Sequence, residues 1–531
     1  MDCNFTAIPY NKIGYFSKII VDYLDESPLL RPFYKHSASL AGIREAIAAR
    51  KLFDTNRALL VEVLNGQYKN IDASARVRGN IEALLDENTF TIVTAHQPNI
   101  FTGYLYFVYK ILHVIRLSTF LDEELPEYKF VPVFYMGSED ADLDELGNIF
   151  MGGEKIIWET NQKGAVGRMN TKGLEKIIDR IAGELSIHPF GNELIALLKS
   201  SYINAPDIQT ATFQLVDALF REYGLVVLLP DNGALKQSMN AVFEDDLLKQ
   251  LPSAIVEETN KKLSQYYKVQ ANPREINLFY LKDDLRERIV KKDNEWKVVG
   301  QDIRFTEAAL KEELQSYPER FSPNVILRGL FQETILPNIA FIGGGGETAY
   351  WLELKDLFEY YGVPYPILML RNSFLFIEKK WQLQIEKLGF EIPALFGEER
   401  LLVDDLVKRE SKQQLQLDNE ITRESAFYDE LKQLAAKTDI TLGKHAEALK
   451  VRAINQLKQL EKKMLKAEKR KFEDQQRQIR AVKAKLFPNN ALQERIDNFM
   501  PYYARYGKAF IEMIYDYSPS LDKEFVVLSE R

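Results

Sequence analysis

Cysteine is nearly missing: the 531-residue chain has one, Cys3, beside the N-terminus. A single thiol excludes an intrachain disulfide and a cysteine-rich metal site. Histidine is scarce too. The five (His36, His96, His113, His188, His445) form no HxxxH or HExxH spacing, which disfavours a zinc hydrolase, and no metal ligands are expected. No run approaches the ~18 apolar residues of a membrane helix, and no N-terminal stretch resembles a signal peptide. A cytoplasmic protein without a membrane partner is expected. Positive net charge is lacking as well. At a formal −8 the chain is poorly suited to nucleic acid. The Lys- and Arg-rich Lys466–Lys485 reads as a solvated helix face.

What is present is ordinary globular material, 46% hydrophobic and 27% charged, which excludes global disorder. Five short segments, Thr91–Ala95, Phe130–Met136, Leu225–Leu229, Ile335–Ile342 and Tyr365–Leu370, are apolar with little alternation. Strands buried on both faces look like this. Helical patterns between them predict an α/β fold with a mostly parallel sheet. Two gaps are too long for one crossover helix. Residues 1–394 therefore read as a core with inserted subdomains at about 150–222 and 232–330.

Residues 400–487 hold no proline and one glycine, Gly443. Leu417, Ile421, Tyr428, Leu431 and Ala435 form one heptad-like seam. Leu457, Leu460, Met464, Phe472, Ile479, Val482 and Leu486 form a second, with a stutter before Phe472. Joined by a turn at Thr438–Lys444, they predict an antiparallel coiled coil over 395–487, with arms of ~50–60 Å at 1.5 Å per residue. Such arms suit a homodimer contact. Residues 488–531 regain aromatics and are expected to pack back on the core.

Three strand-end loops are the candidates for carrying chemistry. His96-Gln97-Pro98-Asn99 and Thr102-Gly103 lie between a strand and an amphipathic helix with Leu105, Val108, Leu112 and Ile115 on one face, as either a plain βα turn whose His96 bonds the backbone or a ligand site at the helix start. In Gly137–Glu145, five of nine residues are acidic, including Glu139, Asp140 and Asp142 after Ser138. That run is either an acidic helix start or a site for an amine or Mg²⁺. Gly343, Gly344, Gly345 and Gly346 precede Glu347 and open a helix, as either a tight turn or an amide nest for a ligand. The run matches neither a Walker A loop nor a GxGxxG fingerprint. Arg328 and Arg371 fall near other strand ends and suit a phosphate or carboxylate.

His96-Gln97-Pro98…Thr102-Gly103, Glu139-Asp140-Ala141-Asp142 and Gly343–Glu347…Tyr350-Trp351 together resemble the BshC family of bacillithiol biosynthesis, described as cysteine ligases. The likeness extends through Asn324…Arg328 to Glu494-Arg495 and covers nearly the whole chain. It implies a Rossmann-like core similar to class I aminoacyl-tRNA synthetases and nucleotidyltransferases, plus a dimer-forming C-terminal coiled coil. The implied reaction adds cysteine to glucosaminyl malate. ATP, with Mg²⁺, is the implied co-substrate, activating the carboxylate as an acyl-adenylate; no tightly bound cofactor is implied. By the same resemblance His96, Asn99 and Asp140 are catalytic, His96 and Asn99 steadying charge on the phosphate. Gln97, Thr102, Gly103, Ser138, Glu139, Asp142, Arg328, Tyr350 and Arg371 bind substrate, and Gly343–Gly346 with Glu347 face the nucleotide. Two positions depart from the family pattern: Ala141 stands where it has His, and Gly345 where it has Pro. The rival readings are a ligase for a related amino sugar and a non-catalytic nucleotide-binding scaffold built around the coiled coil.

Overall fold

The computed structural model describes residues 2–531, which divide into two compact units. The first contains Tyr15–Leu375 and Leu492–Leu528; the second is chiefly Phe376–Ala491. Among the described residues no helix is long and apolar enough to cross a membrane.

The first unit is built on five parallel strands: β1 (Thr89–His96), β2 (Lys129–Met136), β3 (Val226–Leu228), β4 (Asn338–Gly343) and β5 (Ile367–Leu370). All residues of β1 and β4 are buried, which is why neither shows polar alternation. The order is β5-β4-β1-β2-β3. The chain moves outward from β1 to β3, then returns to the other side of β1 for β4. The switch point of this doubly wound sheet lies between β1 and β4, and ligands settle in the crevice past the strand ends there. Two strand starts differ from expectation. Ile335 ends a helix, Val325–Ile335, and β4 begins only after Pro337; β5 begins after Pro366. Proline has no N–H for the ladder, so each strand starts beyond it.

Helix α1 (Tyr106–Glu124) crosses from β1 to β2. It starts two residues later than expected because Phe101, Thr102 and Gly103 all have positive φ and form a separate turn. Residues 492–528 secure that turn. Leu105 N donates to Asp497 O at 2.7 Å, and Asn498 Nδ2 donates to the carbonyls of Phe101 and Gly103. The insertion between β2 and β3 is mainly helical. The next carries α2 (Gly233–Gln237) and an antiparallel sheet that includes Leu278–Lys282 and Leu285–Lys292. A short helix, α3 (Gly345–Trp351), follows β4.

In the second unit, α4 (Asp418–Thr438) and α5 (Ile440–Lys469) form the hairpin, followed by α6 (Glu473–Leu486). The turn is shorter than expected: Asp439 alone separates the helices, and its carboxylate caps Thr441 N at 2.7 Å. Gly443 lies inside α5, where a Cβ would sit 3.1 Å from Ala436 Cβ; it serves close packing, not the turn. With 21 residues, the first arm is about 32 Å long, short of the expected span. The stutter before Phe472 appears as the helix break at Arg470–Phe472. No residue of α4 is buried, and Leu434, Ile440 and Val451 are 64%, 77% and 53% exposed.

Candidate functional site

A cavity of about 370 Å³ opens past the carboxyl ends of β1, β2 and β4. His96, Gln97, Ser138, Glu139, Asp140, Arg328, Tyr350, Arg371, Gly344, Gly345, Gly346 and Glu347 all line it, so the three expected loops do meet. Five expected residues are elsewhere. Asn99 is buried beneath the turn, where a Cβ on residue 103 would approach its own Cβ to 2.8 Å. Thr102 is fully buried, and the Gly103 carbonyl holds Asn498. Asp142 is exposed and caps the short helix Leu143–Leu146, accepting from Glu145 N at 3.0 Å. Gly343 ends β4 and accepts from Arg371 N at 2.8 Å; Phe341 leaves no room for a side chain there.

The charges lining the cavity sort by whether they already have partners. Lys110, the one Lys of the mostly apolar α1 stretch Tyr106–Ile115, is buried, donates to Ala95 O at 2.9 Å and pairs with Glu347. Burial pushes the Glu347 carboxyl up, but Lys110 and the Gly344 N–H outweigh it and hold it below its ordinary value. The Gly344 amide is therefore occupied by the protein's own carboxylate. Glu139 pairs with Lys236, a fully buried residue of α2 that also donates to Glu319 O at 3.0 Å. Behind them Asp231 receives a two-pronged bond from Arg168, at 2.7 Å for each contact. Arg371 pairs with Glu494 at 2.7 Å.

The remaining charges have no ion-pair partner among the described residues. Arg328 donates to the Tyr350 hydroxyl and lies over the Tyr135 ring. Arg286 donates to Ser322 Oγ at 3.2 Å and stacks on Phe279, while the Arg495 guanidinium makes no hydrogen bond among the described residues. On the acidic side, Asp140 accepts from Gln97 Nε2 at 3.1 Å. Glu145 also lines the cavity, its carboxyl pushed up by burial and by Asp142 and Asp140. Three guanidiniums and two carboxyls are thus left for a ligand. The arrangement suits a molecule that carries several negative charges and an amine.

His96 ends β1 and is stacked beside Tyr106, ring centroids 5.5 Å apart. Burial, then the charge of Lys110, pushes its pKa down to about 3. The imidazole is neutral at pH 7 and cannot act as a cation toward phosphate. Among the described residues no three His, Cys, Asp or Glu side chains converge on one point, so a Mg²⁺ ion would take most of its ligands from nucleotide and water. Lys236 and Arg286 were not foreseen. Both come from the insertion and have no local sequence signal, whereas a lone Lys in an apolar helix is one.

Gly345 bears on the amide nest. It occupies the first position of α3, after Gly344 with φ −72° and ψ 171°. Both suit a proline at residue 345, since N1 needs no N–H and the preceding residue must be extended. An added Cβ would meet only Ile20, at 3.5 Å. Gly345→Pro is expected to stabilise the protein by about 0.4–1 kcal/mol in urea unfolding. A loss of stability would show that the residue-345 N–H or its freedom is needed.

Two family models cover the chain: the Bacillithiol biosynthesis BshC N-terminal Rossmann-like domain over residues 1–372, and the C-terminal coiled-coil domain over 374–530. A protein of Flavobacterium johnsoniae named "Putative cysteine ligase BshC" is 38% identical, covering 98% of this chain and 99% of its own. Another of that name, from Flavobacterium psychrophilum, is 40% identical over the same shares. A solved Campylobacter jejuni structure, titled a "putative arginyl t-RNA synthetase", aligns at 12% identity with 81% of this chain and 92% of its own. Its TM-score of 0.24 says nothing about the site. Full-length likeness at this identity, with both domain models in order, places the chain in the BshC family of bacillithiol biosynthesis.

Proposed function

We propose that the protein is a ligase that joins the carboxyl group of cysteine to the amine of glucosaminyl malate, the last step in making bacillithiol. The observation that carries this reading is the pairing state of the charges. Asp140 and Glu145 are left to hold an amine, and Arg286, Arg328 and Arg495 are left to hold carboxylates. Glucosaminyl malate carries both kinds of group. Amide formation from a free carboxylate is uphill in water, and ATP would supply an activated carboxyl. The same arginines and the N–H groups of Gly346 and Glu347 are the candidates for holding its phosphates. In this scheme Glu139, already neutralised by Lys236, shapes the wall, and Asp140 is the carboxylate that orients the amine.

The test supplies ATP, cysteine and glucosaminyl malate and follows the thiol product by mass spectrometry. Product that depends on all three supports the reading. No product, under conditions where a relative with the full Glu-Asp-His-Asp motif turns over, overturns it. Ala141, where the family has His, favours one variant: a ligase acting on a related amino sugar. Product only from another amino-sugar acceptor in a panel would establish that.

The coiled coil is proposed to form a homodimer through its exposed apolar residues. Size-exclusion chromatography with light scattering is expected to give twice the 61.4 kDa chain mass. The double substitution Leu434→Glu/Val451→Glu is expected to shift it to monomer. A wild type that elutes as a monomer contradicts the dimer.

A further inference from the structure

His96 Nδ1 lies 2.8 Å from the backbone nitrogen of Gln97 and also 2.8 Å from Gln97 Oε1. One nitrogen cannot serve both. The backbone N–H needs a lone pair there, and the side-chain carbonyl needs a proton. The far end of the Gln97 side chain decides between them. Its Nε2 donates to Asp140 Oδ2 at 3.1 Å. A carboxylate accepts only, so the amide nitrogen must face Asp140 and the carbonyl oxygen must face His96. A hydrogen bond to a carboxylate is roughly twice as strong as a neutral one. Bonds running in one direction through the amide also reinforce each other. The Asp140 end therefore outweighs a single competing main-chain N–H.

We infer that Gln97 is a positioning residue that holds His96 as the Nδ1–H tautomer, presenting a bare Nε2 to the cavity as a hydrogen-bond acceptor. Nε2 has no partner among the described residues. The ring stays neutral because it is buried beside Lys110. The consequence for specificity rests on the ligase reading: the group held at His96 is an N–H or O–H donor, such as the amine or a sugar hydroxyl. A phosphate oxygen would need the opposite tautomer. Asp140 thus acts on the ligand twice, once directly and once through Gln97.

Histidine-selective ¹⁵N NMR on the full chain at pH 7, without substrates, reads the tautomer directly. The protonated and bare ring nitrogens resonate far apart, and His96→Gln assigns the signal by its loss. The wild type is expected to show Nδ1–H. Gln97→Ala keeps the main-chain N–H but removes the competing carbonyl, so the proton should move to Nε2. Asp140→Asn can offer the Gln97 carbonyl a donor, letting the amide turn, and should give the same reversal while keeping Gln97. Thermal melts check that each variant is folded. Nε2–H in the wild type, or one tautomer shared by the wild type and a folded variant, overturns the inference. The measurement needs no turnover, so failure of the ligase assay and failure of this inference are separate results.

Discussion

Arg328→Met is expected to lower kcat/KM by about 10²–10³-fold while changing stability by less than about 1 kcal/mol. The reasoning starts from what Arg328 lacks. Its guanidinium faces the cavity and meets a tyrosine hydroxyl, the Gln332 amide oxygen at 3.4 Å and two aromatic rings, but no carboxylate. A cation held out of water without a counter-charge contributes little to stability, and removing it strands no partner charge. Its value lies in the anion it can bind. A fold-change of 10²–10³ corresponds to about 2.7–4 kcal/mol of lost transition-state stabilisation. Urea unfolding beside steady-state kinetics separates the two effects. A large loss of stability with unchanged turnover of folded protein would show that Arg328 is structural.

The sheet was legible because the middles of β1 and β4 are short apolar runs without charge, and every residue of both strands is buried. The places where strands begin were less legible: an apolar run continued through Leu336-Pro337, and only the missing N–H shows where the ladder starts. The site was legible as loops at strand ends, since His96, Glu139–Asp140 and Gly343–Glu347 each lie at or just past the end of a core strand, β1, β2 and β4. The pairing of the charges was not legible. Glu139 counts as a free charge in an acidic run until Lys236, 97 residues further on, is placed against it. Asp142 looks the same as Asp140 in sequence, yet one caps a helix turn and the other lines the cavity. Thr102 and Gly103 were expected to bind substrate, but they belong to a positive-φ turn that grips Asn498, near the other end of the chain, and neither lines the cavity.

Arg371 is expected to behave in the opposite way to Arg328, although both line one cavity. Arg371 and Glu494 are 3% and 0% exposed and bond at 2.7 Å. Arg371→Met would leave the fully buried Glu494 carboxylate with hydrogen bonds from Phe374 N and Ser373 Oγ, each at 3.2 Å, but with no directly bonded cation. Breaking one side of such a pair costs about 3–5 kcal/mol, mostly as the penalty on the stranded partner. Adding Glu494→Gln removes that charge, and the double variant is expected to recover most of the loss in urea unfolding. The double variant then separates structure from function. If Arg371 is neutralised by Glu494 in the working protein, kcat/KM stays within about tenfold, or 1.4 kcal/mol, of the wild type. A folded double variant with a loss above about 10²-fold would show that Arg371 also contacts substrate, as the sequence motif implied.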